Sequence, residues 1–84
     1  MGKGQDAENG GKTGTMDVSV QLSGREKQCL EEIARGRRVQ AISERLSIAP
    51  VTVELHLRNT RLKLGASTNP EAVAKAIHLG VIDI

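Results

Sequence analysis

The 84 residues include no phenylalanine, tyrosine or tryptophan, a single cysteine, two prolines and two histidines. Without aromatic rings there is no platform on which unstacked bases can lie, which argues against a single-stranded nucleic-acid surface of the RRM or OB kind. One cysteine cannot form an internal disulfide. Cys29 stands beside Leu30 and four residues before Ile33, the spacing of a core position, so it reads as an inert buried thiol rather than a redox centre. His56 and His78 are far apart and have no cysteine or carboxylate at ligand spacing, so no metal site is expected. No nucleophile, base and acid can be assembled, and no phosphate-cradling glycine loop or carboxylate pair is present, so neither enzyme chemistry nor a cofactor is expected. The chain has no apolar run long enough for a membrane span and no signal-peptide core, and Asp6 stands where a myristoylation signal needs Ser or Thr. A cytoplasmic, reduced setting is the expectation.

What remains is small and aliphatic. Hydrophobic residues make up 38% of the chain, enough for one modest core, and the net charge of +2 says little by itself. Its distribution says more: Arg35, Arg37, Arg38 and Arg45 gather in one stretch, and Arg58, Arg61 and Lys63 follow in another. Residues 1–20 are expected to be a disordered Gly-rich tail or linker, because Met1–Asp17 holds Gly, Asn, Thr and charge with too little to bury. Residues 21–84 are expected to form the folded domain.

Within that domain Leu22 leads into Ser23–Gly24–Arg25–Glu26, a capping-box spacing, and the helix it opens runs to about Arg35 with Gly36 as a left-handed stop. Cys29, Leu30, Ile33 and Ala34 face inward. Val39, Ile42 and Leu46 recur at i, i+3 and i+7 on a second, short helix. Ser47–Ile48–Ala49 is a turn, after which Pro50 suits the first position of a third helix, where its missing N–H has no partner to lose. From Val51 to Leu57 apolar and polar residues alternate as in a strand, but a lone strand between helices cannot satisfy its backbone. Val53, Leu57, Thr60 and Leu64 also continue beyond that window at helical spacing. A helix is therefore predicted, with Glu54, Leu55, Arg58 and Arg61 on the face opposite that stripe. A fourth helix opens at Asn69–Pro70–Glu71, with Asn69 as N-cap, and runs to about Leu79 before Gly80.

These residues carry a family resemblance. From Leu22 to Ile82 the chain resembles the LuxR-type (GerE-like) helix-turn-helix DNA-binding domain of bacterial transcription regulators. The matching segments are Leu22–Ser23–Gly24–Arg25–Glu26, Ala34–Arg35–Gly36, Ile42–Ser43–Glu44–Arg45–Leu46–Ser47–Ile48, Thr52–Val53, His56 and Lys63–Leu64–Gly65. Glu71–Ala72–Val73–Ala74–Lys75–Ala76 and Leu79–Gly80–Val81–Ile82 resemble its fourth helix and ending. Glu54 and His56–Leu57–Arg58–Asn59 look most like the quorum-sensing branch. The resemblance implies an all-α, compact four-helix domain bound to double-stranded DNA as a homodimer, with RNA polymerase as a further partner, no membrane and no cofactor.

It also implies roles. The base-reading positions fall on Glu54, Leu55 and Arg58, chemically suited to cytosine N4, a thymine methyl and guanine O6/N7, with Val51 a second methyl contact. Phosphate contacts are expected from Arg25, Arg38, Thr52, Arg61 and Lys63. His56 is expected at the flank of the third helix, packing on the turn or donating to a phosphate. In the family the fourth helix pairs two domains, which puts Ala72, Val73, Ala76 and Leu79 at a dimer interface; alanine is equally a plain helix former, and periodicity does not separate the two. The chain departs from the pattern at Arg38–Val39–Gln40, where Ser-Asn-Lys is common, at Ala49, where a serine usually caps, and at Glu54, where lysine is common. Two other functions fit a small helical module: an anti-activator that pairs with a full-length relative, and a sigma-factor-like segment that binds DNA only within polymerase.

Overall fold

In the computed structural model of the protein, which describes residues 20–83, helix α1 spans Gly24–Ala34, α2 Val39–Leu46, α3 Pro50–Leu64 and α4 Asn69–His78. The tail expected at the N-terminus lies outside the described residues. Among those residues there is no strand, and no helix is long and apolar enough to cross a membrane.

Each boundary has a local cause. The Ser23 backbone N–H donates to Glu26 Oε1 at 2.9 Å and the Ser23 hydroxyl accepts from the Glu26 N–H at 3.1 Å, so two otherwise orphaned donors at the start of α1 are satisfied. The chain leaves α1 through Gly36 and α3 through Gly65, with φ of 89° and 65°, a region that costs glycine nothing. At α4 the structure corrects the expected cap: Thr68, extended at φ −134°, accepts from the Glu71 N–H at 3.1 Å, and Asn69 is already helical. Thr68-x-x-Glu71 is itself a capping-box spacing, although the Glu71 carboxylate takes the Ser67 N–H at 2.7 Å instead.

The core has two lobes sharing α1. Leu30 packs with Leu64, Ala72, Ala76 and Ile82, while Cys29 packs with Ile42, Val53 and Leu57. All four residues of the α3 stripe, Val53, Leu57, Thr60 and Leu64, are buried, which decides helix over strand for that window. Thr60 enters the core because its hydroxyl donates to the His56 carbonyl at 2.7 Å, leaving no unsatisfied polar atom there. Burial, helped by the Glu32 and Glu26 carboxylates and opposed by Arg25, pushes the Cys29 thiol up, as an inert core residue requires.

The apolar side of α4 is divided. Ala72 and Ala76 are fully buried in this domain's own core, so their side chains cannot meet a second copy while the fold is intact, and Val73 is half-buried against that core. The close approach that alanine permits is used within the domain. Ile77 and, just past the helix end, Leu79, 47% and 40% exposed, are the large apolar side chains left to the outside.

Candidate nucleic-acid interface

The α2–α3 turn is set by a serine that sequence reasoning passed over. Ser43, in α2, donates its hydroxyl to the Ile48 carbonyl at 2.6 Å, and its own carbonyl accepts from the Ile48 N–H at 3.1 Å. Ser47 between them closes α2 in the left-handed region, at φ 57°. With the turn so held and Ile42 locked against Val53 and Leu57, the direction in which α3 projects is fixed.

Side-chain caps cover the starts of α1 and α4, but neither Arg38 at α2 nor Ala49 at α3 supplies one. Both helices of the motif therefore present the positive end of their dipoles, and α2 also presents bare N–H groups. At α3 Pro50 has none and the Thr52 N–H donates to the Ala49 carbonyl at 2.9 Å, which leaves the Val51 N–H.

Burying Val53, Leu57, Thr60 and Leu64 turns Val51, Glu54, Leu55 and Arg58 to solvent. Val51 and Leu55 are 71% and 50% exposed, a large apolar surface for a helix that has every chance to turn it inward. Glu54 and Arg58 make no ion pair or side-chain hydrogen bond among the described residues, so the i, i+4 pair that would neutralise them is not formed. Beside them a groove of about 370 Å³ runs between the start of α2 and the start of α4, lined by Val39, Glu54, Leu57, Arg58, Arg61 and Asn69.

The expected phosphate residues separate into two groups. Arg25 and Arg38 are exposed and Thr52 half-exposed, all free of ion pairs among the described residues; Arg25 makes only a 3.3 Å bond to Gln28. Arg61 and Lys63 are engaged in the fold. Arg61 is half-buried rather than on the open face, and its Nη1 donates to Asn69 Oδ1 at 2.6 Å, tying α3 to the start of α4. Lys63 donates to Glu26 Oε1 at 2.7 Å and to the Gln21 carbonyl at 3.2 Å. Burial alone would raise the Glu26 carboxyl, but the Lys63 and Ser23 hydrogen bonds and the charges of Lys63 and His56 outweigh it and hold it below its ordinary value. His56 is half-exposed on the flank of α3, as expected.

Sequence reasoning also missed Glu32, a buried carboxylate that gathers Arg45, Arg37 and Arg35 at 2.6, 3.4 and 3.5 Å. Only the i, i+3 pair with Arg35 was legible as a spacing.

Comparison with known proteins gives the family and the fold. Residues 20–76 match the model of the luxR family of bacterial regulatory proteins. The chain is 43% identical over 67 residues to the HTH-type quorum sensing-dependent transcriptional regulator VjbR of Brucella ovis, which covers 80% of this chain and 26% of that protein. It is 39% identical over 66 residues to the probable transcriptional regulatory protein NarL of Mycobacterium tuberculosis, covering 79% and 31%. To the transcriptional activator protein LuxR of Aliivibrio fischeri it is 37% identical over 62 residues, covering 74% and 25%. The chain thus spans about a quarter to a third of the length of these relatives. The solved structure of the transcription factor GerE superposes with a TM-score of 0.71 at 34% identity, covering 74% of this chain and 92% of that one. With four helices in the same arrangement and a family match over most of its length, the chain belongs to the luxR family of bacterial regulatory proteins, a family of DNA-binding transcription regulators.

Proposed function

We propose that this chain binds double-stranded DNA sequence-specifically as a dimer on a two-fold symmetric site, with α3 in the major groove. The observation that carries the reading is the outward face of α3, where Arg58, Glu54, Leu55 and Val51 stand exposed on a rigid helix and the two charged groups have no partner among the described residues. Desolvating such groups against base edges costs no internal pairing. Arg58 forks onto guanine O6/N7, Glu54 accepts from cytosine N4, and Leu55 and Val51 meet thymine methyls. Arg25, Arg38, Thr52 and the bare N–H groups that open α2, with the Val51 N–H of α3, hold phosphates and set the register. Arg61 and Lys63 act one step back, holding α4 and α1 against the reading helix. Dimer contact falls to the part of α4 that the core leaves open, where Ala74, Lys75, His78 and Leu79 line a mostly apolar depression.

The test is a fluorescence titration of the chain against a set of symmetric duplexes differing at single positions, at fixed salt. Preference among them of about 1–3 kcal/mol per position, roughly five- to 150-fold, is the expected result. Equal affinity for all, or no binding at low salt, would sink the proposal, the latter in favour of a protein-pairing module.

A further inference from the structure

Beneath three guanidinium groups at the junction of α1 and α2 lies a single buried carboxylate. Glu32 near the end of α1 is met by Arg45 Nε from the last turn of α2 at 2.6 Å, by Arg37 Nη1 from the connecting segment at 3.4 Å and by Arg35 Nη1 from the end of α1 at 3.5 Å. We propose that this cluster is a second phosphate site, separate from the reading helix, which clasps a backbone phosphodiester of the duplex where α2 crosses it. The inference rests on the DNA reading given above.

Charge and donors are both in excess. One carboxylate against Arg35, Arg37 and Arg45 leaves two positive charges uncompensated at one place. Each guanidinium carries five N–H donors and a carboxylate about four acceptor sites, so most of the donors are left over. Only the Arg45 contact is a hydrogen bond; Arg37 Nη1 is buried with no hydrogen-bond partner. The layering is also informative. The Glu32 side chain is 8% exposed, whereas those of Arg45, Arg35 and Arg37 are 52%, 48% and 34% exposed. The carboxylate lies below and the guanidiniums lie outward.

An arginine on a bare surface loses much rotamer freedom when it grips an anion, whereas one anchored from below has already lost it. Glu32 is in this sense a positioning residue, fixing forks whose outer edges match the oxygens of a phosphate. The place favours DNA as the source of that phosphate. Arg37 runs directly into exposed Arg38 and then Val39, which lines the same groove as Glu54 and Arg58, so positive charge continues from the cluster to the edge of the reading face. The first helix of such a motif is the one that crosses the sugar-phosphate backbone.

The experiment measures binding of the full chain to a duplex of arbitrary sequence about three helical turns long, as a function of salt. Arg37→Gln and Arg45→Gln are each expected to lower the slope of log K against log salt by about 0.9, the contribution of one phosphate contact. In either variant Glu32 keeps two guanidinium partners, so helicity by circular dichroism should match the parent; should one unfold, the other and Arg35→Gln decide. Lys27→Gln, which removes the same charge from the exposed side of α1, should leave the slope unchanged. Unaltered slopes in folded Arg37→Gln and Arg45→Gln overturn the site, and would turn the cluster over to an acidic protein partner. An equal fall in Lys27→Gln also overturns it, by reducing it to diffuse attraction. Slopes that fall as expected while symmetric duplexes are bound without preference would remove the base-reading assignment and leave the cluster standing.

Discussion

Lys63 Nζ donates to Glu26 Oε1 at 2.7 Å, closing the last turn of α3 onto the first turn of α1 across 37 positions of the chain. The carboxylate is buried and already accepts the Ser23 N–H, so the pair completes the α1 cap as well as joining two helices. Removing the ammonium strands a buried charge. Lys63→Gln should cost about 1–3 kcal/mol, below the full cost of breaking a buried pair because Lys63 itself is half-exposed. In a domain this small each kcal/mol lowers the melting temperature by about 4–8 °C. Because the folded Glu26 carboxyl titrates below its ordinary 4.5, its contribution is full above that value and is lost as pH falls through the lowered one. Denaturant unfolding of the parent and Glu26→Gln should therefore differ by a constant amount near neutrality and converge in acid.

Arg58 and Arg61 lie on the same helix, three residues apart, yet should behave differently. Arg58→Ala should cost about 1–3 kcal/mol at the preferred duplex and relax preference at one base position, with thermal stability unchanged. Arg61→Ala loses the bond to Asn69 and should lower stability by about 1 kcal/mol while leaving the order of duplex preferences intact. Glu54→Lys should raise affinity for every sequence and, on the proposed base reading, alter preference at the position assigned to Glu54. Identical sequence profiles for Arg58→Ala and Arg61→Ala would contradict base reading by Arg58.

Ser47 holds φ 57° with a Cβ that disfavours it, and its side chain makes no hydrogen bond among the described residues. The αL cost to a non-glycine residue is about 1–2 kcal/mol, set against about 0.4–1 kcal/mol of added unfolded-state entropy for glycine. Ser47→Gly should be stabilising by up to about 1.6 kcal/mol, with duplex affinity unchanged. A lower melting temperature would show that the serine contributes something that its backbone angles do not reveal.

One short helix edge is well below the area of a stable interface, so the chain should sediment as a monomer at micromolar concentration and bind a symmetric duplex two to one. Leu79→Glu should weaken the second binding step without lowering thermal stability, since Leu79 is outside the core. Ala72→Glu should instead unfold the domain, because its side chain is fully buried. A tight dimer indifferent to Leu79→Glu would place the contact elsewhere.

Local pattern by itself determined much of this protein. The α1 capping box, the entry of Pro50, the glycine exits and the spacing of Val53, Leu57, Thr60 and Leu64 are relations within a turn or two of chain, and short-range sterics and hydrogen bonding enforce them. The buried stripe in turn determined that Val51, Glu54, Leu55 and Arg58 would be exposed, since a helix that buries one side presents the other. Tertiary structure decided which charges remain available. Lys63 with Glu26 and Arg61 with Asn69 join positions 37 and 8 apart, and in sequence both cations looked as free as Arg58; Arg45, 13 positions from Glu32, is anchored on a carboxylate that it shares with Arg35 and Arg37. Tertiary packing likewise decided that Ala72 and Ala76 face α1 and the core while Leu79 does not. Periodicity identifies an apolar side, but the partner that covers it is set by how elements distant in sequence fill space together.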